Sequence, residues 1–120
     1  TCRVGLLGRR DMNDRIKAVF ICSPFKANSE ERRAEYRRYA QEMALSALQE
    51  GAAPYAPHLY LPDILDDEDA LARRKGILAG IEFLTRCDAL WLCTRYGISN
   101  GMRKEISAAQ RNGIRIIEKK

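Results

Sequence analysis

The chain has 120 residues, of which 46% are hydrophobic and 31% charged, and a formal net charge of +5. That length supports one domain with a real core, and the composition is ordinary for a soluble globular protein. No apolar run approaches the roughly 20 residues that span a bilayer, and the stretch Thr1 to Gly5 lacks the apolar centre of a secretory signal, so a cytoplasmic protein is expected.

Residues 1–17 are mixed, with Gly5, Gly8 and the polar cluster Asp11 to Asp14, and read as an N-terminal arm or extension. The domain proper is expected over 18–120. Ala18 to Cys22 is a continuous apolar run, as expected for a central parallel strand covered on both faces. Ser23-Pro24 stops it, because proline cannot continue the ladder. Phe25 to Ser29 forms a loop. Ser29 followed by Glu30 and Glu31 reads as a helix start, a capping residue and then acids that suit the positive dipole end. This helix is expected to run to about Gln49, with an apolar stripe of Tyr36, Ala40, Met43, Ala44, Ala47 and Leu48, and to stop at Gly51.

Ala52 to Pro57 is a short, proline-marked strand nearer the sheet edge. His58 to Pro62 leaves it as a loop on the ligand side. Asp66 to Asp69 open the next helix with four acids, which compensate the dipole or cap it. Leu71, Ile77, Leu78, Ile81 and Leu84 form its expected buried stripe. Gly76 and Gly80, four apart, allow close packing or close approach to a ligand. Ala89 to Cys93 is the third strand. A polar corner, Ile98 to Glu105, leads into a last helix with Met102, Ile106 and Ala109 facing the core. Ile114 to Ile117 closes the chain as a strand. The alternation implies an α/β fold, a three-layer, flavodoxin-like or Rossmann-like sandwich on a parallel sheet of about four strands in the order 2-1-3-4. The ligand crevice is then expected at the carboxyl ends of the first and third strands, where Ser23 and Ser99 both arrive.

Cys2, Cys22, Cys87 and Cys93 form no C-x-x-C pair, and His58 is the single histidine. A zinc site is not expected, no cofactor is implied, and the thiols read as reduced core residues. The positive charge gathers in Arg3, Arg9, Arg10, Arg15 and Lys17, and again in Arg32, Arg33, Arg37 and Arg38. The second set alternates with Glu30, Glu31 and Glu35 and reads as a solvated helix face with i,i+4 pairing. No signature of a nucleic-acid module is present. A small phosphorylated ligand would use such a patch as well as a polymer would.

The corner Ser99-Asn100-Gly101-Met102-Arg103-Lys104-Glu105 lies where α/β proteins place ligand phosphates and reactive groups. Ser99 is a natural N-cap, Gly101 lets backbone approach a ligand, and Glu105 falls in the first or second helical turn. Its plain alternative is a surface glutamate paired with Arg103 or Lys104.

Three segments, Val19 to Ser23, Cys87 to Trp91 and Ser99 to Glu105, together resemble the nucleoside 2-deoxyribosyltransferase-like superfamily, closest to a small branch with a Pro-x-Ala-Pro-His-Leu segment, here Pro54 to Leu59. The resemblance covers roughly Ala18 to Ile117. It implies cleavage or exchange of the N-glycosidic bond of a nucleoside or nucleotide, with Glu105 as the carboxylate beneath the anomeric carbon. A helix-start position is expected to favour its ionised form. It further implies that Ser99 and the amides of Asn100, Gly101 and Met102 hold a 5'-hydroxyl or 5'-phosphate, assisted by Lys26. Ser23, Phe25 and Asn28 would border the substrate, and His58 would contact the base or phosphate or anchor its loop. Relatives complete the pocket from a neighbouring subunit, which implies a homodimer.

The family's aspartate in the helix before the third strand aligns with Gly80, so Asp66 or Asp67 is the candidate replacement acid. Three functions therefore stand side by side: N-glycosidic chemistry, a non-catalytic nucleotide or sugar-phosphate binding module, and, more weakly, a nucleic-acid-binding accessory protein. Trp91 reads as core, Tyr55 and Tyr60 as candidate base-stacking rings, and Asp88 as a structural hydrogen-bonding residue.

Overall fold

The computed structural model describes residues 16–66 and 69–120. The first fifteen residues, with Cys2, and Asp67 and Glu68 lie outside the described residues. Strand β1 (Ala18–Cys22) is followed by helix α1 (Glu30–Gln49), β2 (Ala53–Tyr55) and a 3-10 turn (Pro57–Leu59). The one-turn α2 (Leu61–Ile64), α3 (Ala70–Leu84), β3 (Ala89–Cys93), α4 (Asn100–Arg111) and β4 (Arg115–Lys119) complete it. The four strands form one sheet in the order β2-β1-β3-β4, every pair parallel. This is the three-layer α/β arrangement expected from the alternation of elements. The segment His58 to Pro62 is not an open loop, since the 3-10 turn and α2 occupy it.

Side-chain alternation along the strands builds two cores. Val19, Ile21, Ala89, Trp91 and Cys93 face α1 and pack on Tyr39, Met43 and Ala47. Phe20, Cys22 and Leu90 face the other way, onto Leu84, Cys87, Met102, Ala108 and Ala109. Both faces are covered, which is why β1 and β3 read as unbroken apolar runs. Each large side chain buried here, such as Phe20, Ile21 or Leu90, contributes about 1.5–3 kcal/mol. β2 keeps its proline because it is an edge strand. Asp88 ties the strand starts together, accepting the Ala18 amide at 2.7 Å while its own amide donates to the Ala18 carbonyl at 2.8 Å.

α1 begins where Ser29 accepts the Arg32 amide at 3.1 Å and ends at Gly51, whose φ of 86° turns the chain out of the helix. Its buried stripe is Tyr39, Ala40, Met43 and Ala47, whereas Leu48 is exposed and Tyr36 packs edge-on against Tyr96. Tyr39 enters the core because its hydroxyl has a partner, the Arg95 amide at 3.0 Å. The expected i,i+4 pairing along α1 is replaced by one i,i+3 pair, Arg32 with Glu35.

α3 departs further from expectation. Only Gly80 and Leu84 are buried, while Leu71 and Leu78 are 60% and 61% exposed. The apolar spacing is present, yet the first turns of α3 have no strand beneath them and instead overhang a cavity. Of the four acids before it, Asp69 is the cap, accepting the Leu71 amide at 2.9 Å. No helix of the described residues is long and apolar enough to cross a membrane.

Candidate functional site

The cavity under α3 has a volume of about 620 Å³ and opens at the carboxyl ends of β1 and β3. This is the switch point of the sheet, where connections from β1 and β3 run to opposite faces. Ser23, Phe25, Lys26, Asn28, His58, Ser99, Asn100, Gly101, Met102 and Glu105 all line it. Asp66 does not. It lines a second cavity of about 450 Å³ that shares Phe25, His58, Pro62 and Leu65 with the first. Asp67 lies outside the described residues. The larger cavity also takes in Arg73, Gly76, Ile77 and Gly80, which share one face of α3 at helical spacing, and Lys104. Of these the glycine pair carried a ligand signal in the sequence, whereas Ile77 read as part of the buried stripe. Arg73 follows from that signal, one turn before Gly76.

α4 sets the geometry. Ser99 Oγ accepts the Met102 amide at 3.2 Å and the Met102 sulfur sits 3.4 Å from the Ser99 nitrogen. Met102 is 1% exposed and anchors the first turn beneath the sheet edge. The Met102 amide is therefore engaged by the cap, and the Arg103 amide by the Ser99 carbonyl at 3.0 Å. A ligand at this helix start meets the amides of Asn100 and Gly101 rather than all three expected.

Glu105, in the second turn of α4, is carried inward rather than out to Arg103 or Lys104. Its Oε1 is buried and has no hydrogen-bond partner among the described residues, and the same is true of Ser23 Oγ. A buried polar atom left without a partner costs roughly 1–3 kcal/mol, so two on one cavity mark a place not built for stability alone. Burial pushes the Glu105 carboxyl up to about 7, with the nearby Cys22 thiol pulling the other way. This reverses the expectation that the helix start keeps it ionised. The dipole acts mainly within the first turn, and desolvation outweighs it in the second. Cys22, in turn, is held far above the ordinary thiol range by burial and then by Glu105.

Phe25 stacks on His58, ring centroids 5.1 Å apart and 21° between planes, so the two form an aromatic partition between the cavities. Lys26, Arg73 and Lys104 bring positive charge to the larger one, and Arg73 is already engaged with another group. Glu105 is the one carboxylate among its described lining residues. Tyr55 stacks on Phe83 at 4.8 Å and bonds to the Tyr60 hydroxyl at 2.6 Å. Neither Tyr55 nor Tyr60 lines the larger cavity. Trp91 belongs to the core on the α1 side, with the Lys119 ammonium 4.1 Å from its ring centroid. Among the described residues no group of three or more His, Cys, Asp or Glu side chains could hold a metal ion.

The fold is shared with a solved protein. The 2-deoxyribosyltransferase of the psychrotolerant bacterium Bacillus psychrosaccharolyticus, a biocatalyst for the synthesis of antiviral and antitumoral nucleosides, superposes with a TM-score of 0.65. The match covers 84% of this chain and 70% of that one at 14% identity, which establishes a common fold. No curated protein matches the sequence. A family profile matches residues 17–119, nearly the whole described chain, and the chain belongs to that family, the domain of unknown function DUF7768.

Proposed function

We propose that the protein cleaves or exchanges the N-glycosidic bond of a nucleoside or nucleotide, with Glu105 as the nucleophile. The observation that carries this reading is a buried carboxyl with an unpartnered oxygen, facing a cavity at the sheet's switch point together with the unpartnered Ser23 hydroxyl. In such a reaction the C1'–N bond breaks and its electron pair leaves with the base. The carboxylate stabilises the oxocarbenium-like sugar or bonds to C1'. Water then releases the sugar, or a second base takes it. Ser99 with the Asn100 and Gly101 amides suits a 5'-hydroxyl or 5'-phosphate, and Lys26 and Lys104 suit a phosphate's charge. The departing base needs a proton. His58, on the cavity wall beside Phe25, is the candidate donor, and Asp66 would have to reach in from the smaller cavity; Asp67 stays a candidate by its place in the sequence.

Gly80 favours a second reading. α3 presents no carboxylate at this point of the cavity wall, and acid–base help is worth about 10²–10⁴ in rate. A binding module that holds the ligand without cleaving it suits that wall. Incubation with a panel of nucleosides and 5'-monophosphates, with free base measured by chromatography, separates the two. Release that disappears in Glu105→Gln supports catalysis. Nucleotide binding without release from any substrate replaces it with the binding module. Tight, salt-sensitive binding to oligonucleotides would instead favour the nucleic-acid accessory role. Pairing of two copies and a cytoplasmic setting belong to the same proposal. A monomer by light scattering at working concentration would remove the first.

A further inference from the structure

The smaller cavity carries a pattern that the Glu105 reading does not use. Arg33 and Arg37 reach it from α1, one helical turn apart, and Asp63 and Asp66 reach it from α2 and the residues after it. Like charges four residues apart disfavour a helix, so a merely solvated face gives no reason for the arginine pair. Among the described residues neither arginine forms an ion pair, and neither does Asp63, although both signs line the same space; Asp66 is already engaged with another group. The aromatic partition forms another side. Phe25 is stacked on His58, the Arg33 guanidinium lies 5.9 Å from the Phe25 ring centroid, and Tyr36 joins the lining. At about 450 Å³ the space falls within the roughly 300–1,000 Å³ of small-molecule sites.

The ligand that fits is flat, with hydrogen-bond acceptors on one edge and donors on another. Guanidinium groups only donate, and carboxylates only accept. Guanine presents O6 and N7 as adjacent acceptors, the pair that arginine grips in a bidentate fashion, and N–H donors on its other edge. Adenine mixes a donor with an acceptor on that same edge, and pyrimidines present a smaller face to the aromatic partition. We infer that the cavity between α1 and α2 is a binding site for a guanine-type base, with Arg33 and Arg37 on O6 and N7 and Asp63 and Asp66 on the N–H edge. The base comes either from a nucleoside whose sugar enters the Glu105 cavity past Phe25 and His58, or from a separate ligand. The chemistry is the same for both, and the site stands whether or not Glu105 is catalytic.

Calorimetric titration of the full chain with deoxyguanosine, deoxyadenosine, deoxycytidine and 9-methylguanine tests it. Deoxyguanosine should bind at least about tenfold more tightly than the other two nucleosides, the discrimination of one good bidentate contact. Arg37→Gln and Asp63→Asn, both at exposed positions, should each remove that preference without lowering the melting temperature. Two further variants separate the sources of the base. If Glu105→Gln or Ser99→Ala weakens deoxyguanosine but not 9-methylguanine, the base belongs to a ligand shared with the Glu105 cavity. If it changes neither, a separate ligand is assigned. Equal affinity for all three nucleosides, or an undiminished guanine preference in both Arg37→Gln and Asp63→Asn, overturns the inference. Absence of base release from any substrate refutes the Glu105 chemistry and leaves this binding result readable on its own.

Discussion

Replacing Glu105 with Gln gives the sharpest test, because it should do opposite things to function and to stability. The change keeps size and removes the charge. In the unfolded chain the carboxyl titrates at the ordinary glutamate value of 4.5, and in the fold at about 7. Between those values the native state keeps a proton that the unfolded state gives up, so stability falls as pH rises. Below 4.5 both states are protonated and the term vanishes. Above 7 both are ionised and the native state carries the whole penalty. A displacement of roughly two and a half pH units corresponds to about 3 kcal/mol. Glu105→Gln should therefore be about 3 kcal/mol more stable relative to the parent at pH 9 than at pH 4.5, on the order of 10 °C in Tm for a domain of this size. The amide still has to be accommodated beside Cys22, but that cost does not vary with pH and cancels from the comparison. Urea denaturation of both proteins across this range measures it. Base release should be lost in the same variant, while binding stays within about tenfold. A stability difference that is flat from pH 4.5 to pH 9 would refute the buried, desolvated setting of this carboxyl and the chemistry inferred from it.

The activity itself should follow the same group. If Glu105 acts as a carboxylate, kcat/KM for base release should climb with pH through about 7 and level off above it; a profile falling over that range would exclude the nucleophile role. Gly80→Asp should fold, because a Cβ built there meets nothing within 4 Å. The new carboxylate should raise base release by roughly 10²-fold or more, and an unchanged rate would show that the leaving base is served from elsewhere. Ser99→Ala removes the α4 cap and should cost about 1 kcal/mol by denaturation. It should also weaken 5'-monophosphates more than the corresponding nucleosides, and equal weakening would dissociate Ser99 from the phosphate.

The strands and the sheet order were legible because they rest on short-range rules. Ala18 to Cys22 and Ala89 to Cys93 are apolar on both faces, Ser29 and Ser99 are caps, and a parallel sheet with crossover helices admits few strand orders. The corner from Ser99 to Glu105 could be placed at the mouth of the sheet on that topology alone. What the sequence could not decide was which apolar positions would find something to cover them. Leu71 and Leu78 obey helical spacing as well as Leu84 does, yet only Leu84 has a strand and a neighbouring helix against it. The same overhang makes the cavity, and with it the burial that lifts the Glu105 carboxyl against the helix dipole. Desolvation depends on everything packed around a group, including Cys22, more than eighty positions earlier. The meeting of Arg33 and Arg37 with Asp63 and Asp66 is equally a matter of how α1 and α2 lie together. Local spacing determined the elements and the corner, and long-range packing decided the charge state and the neighbours of the groups gathered there.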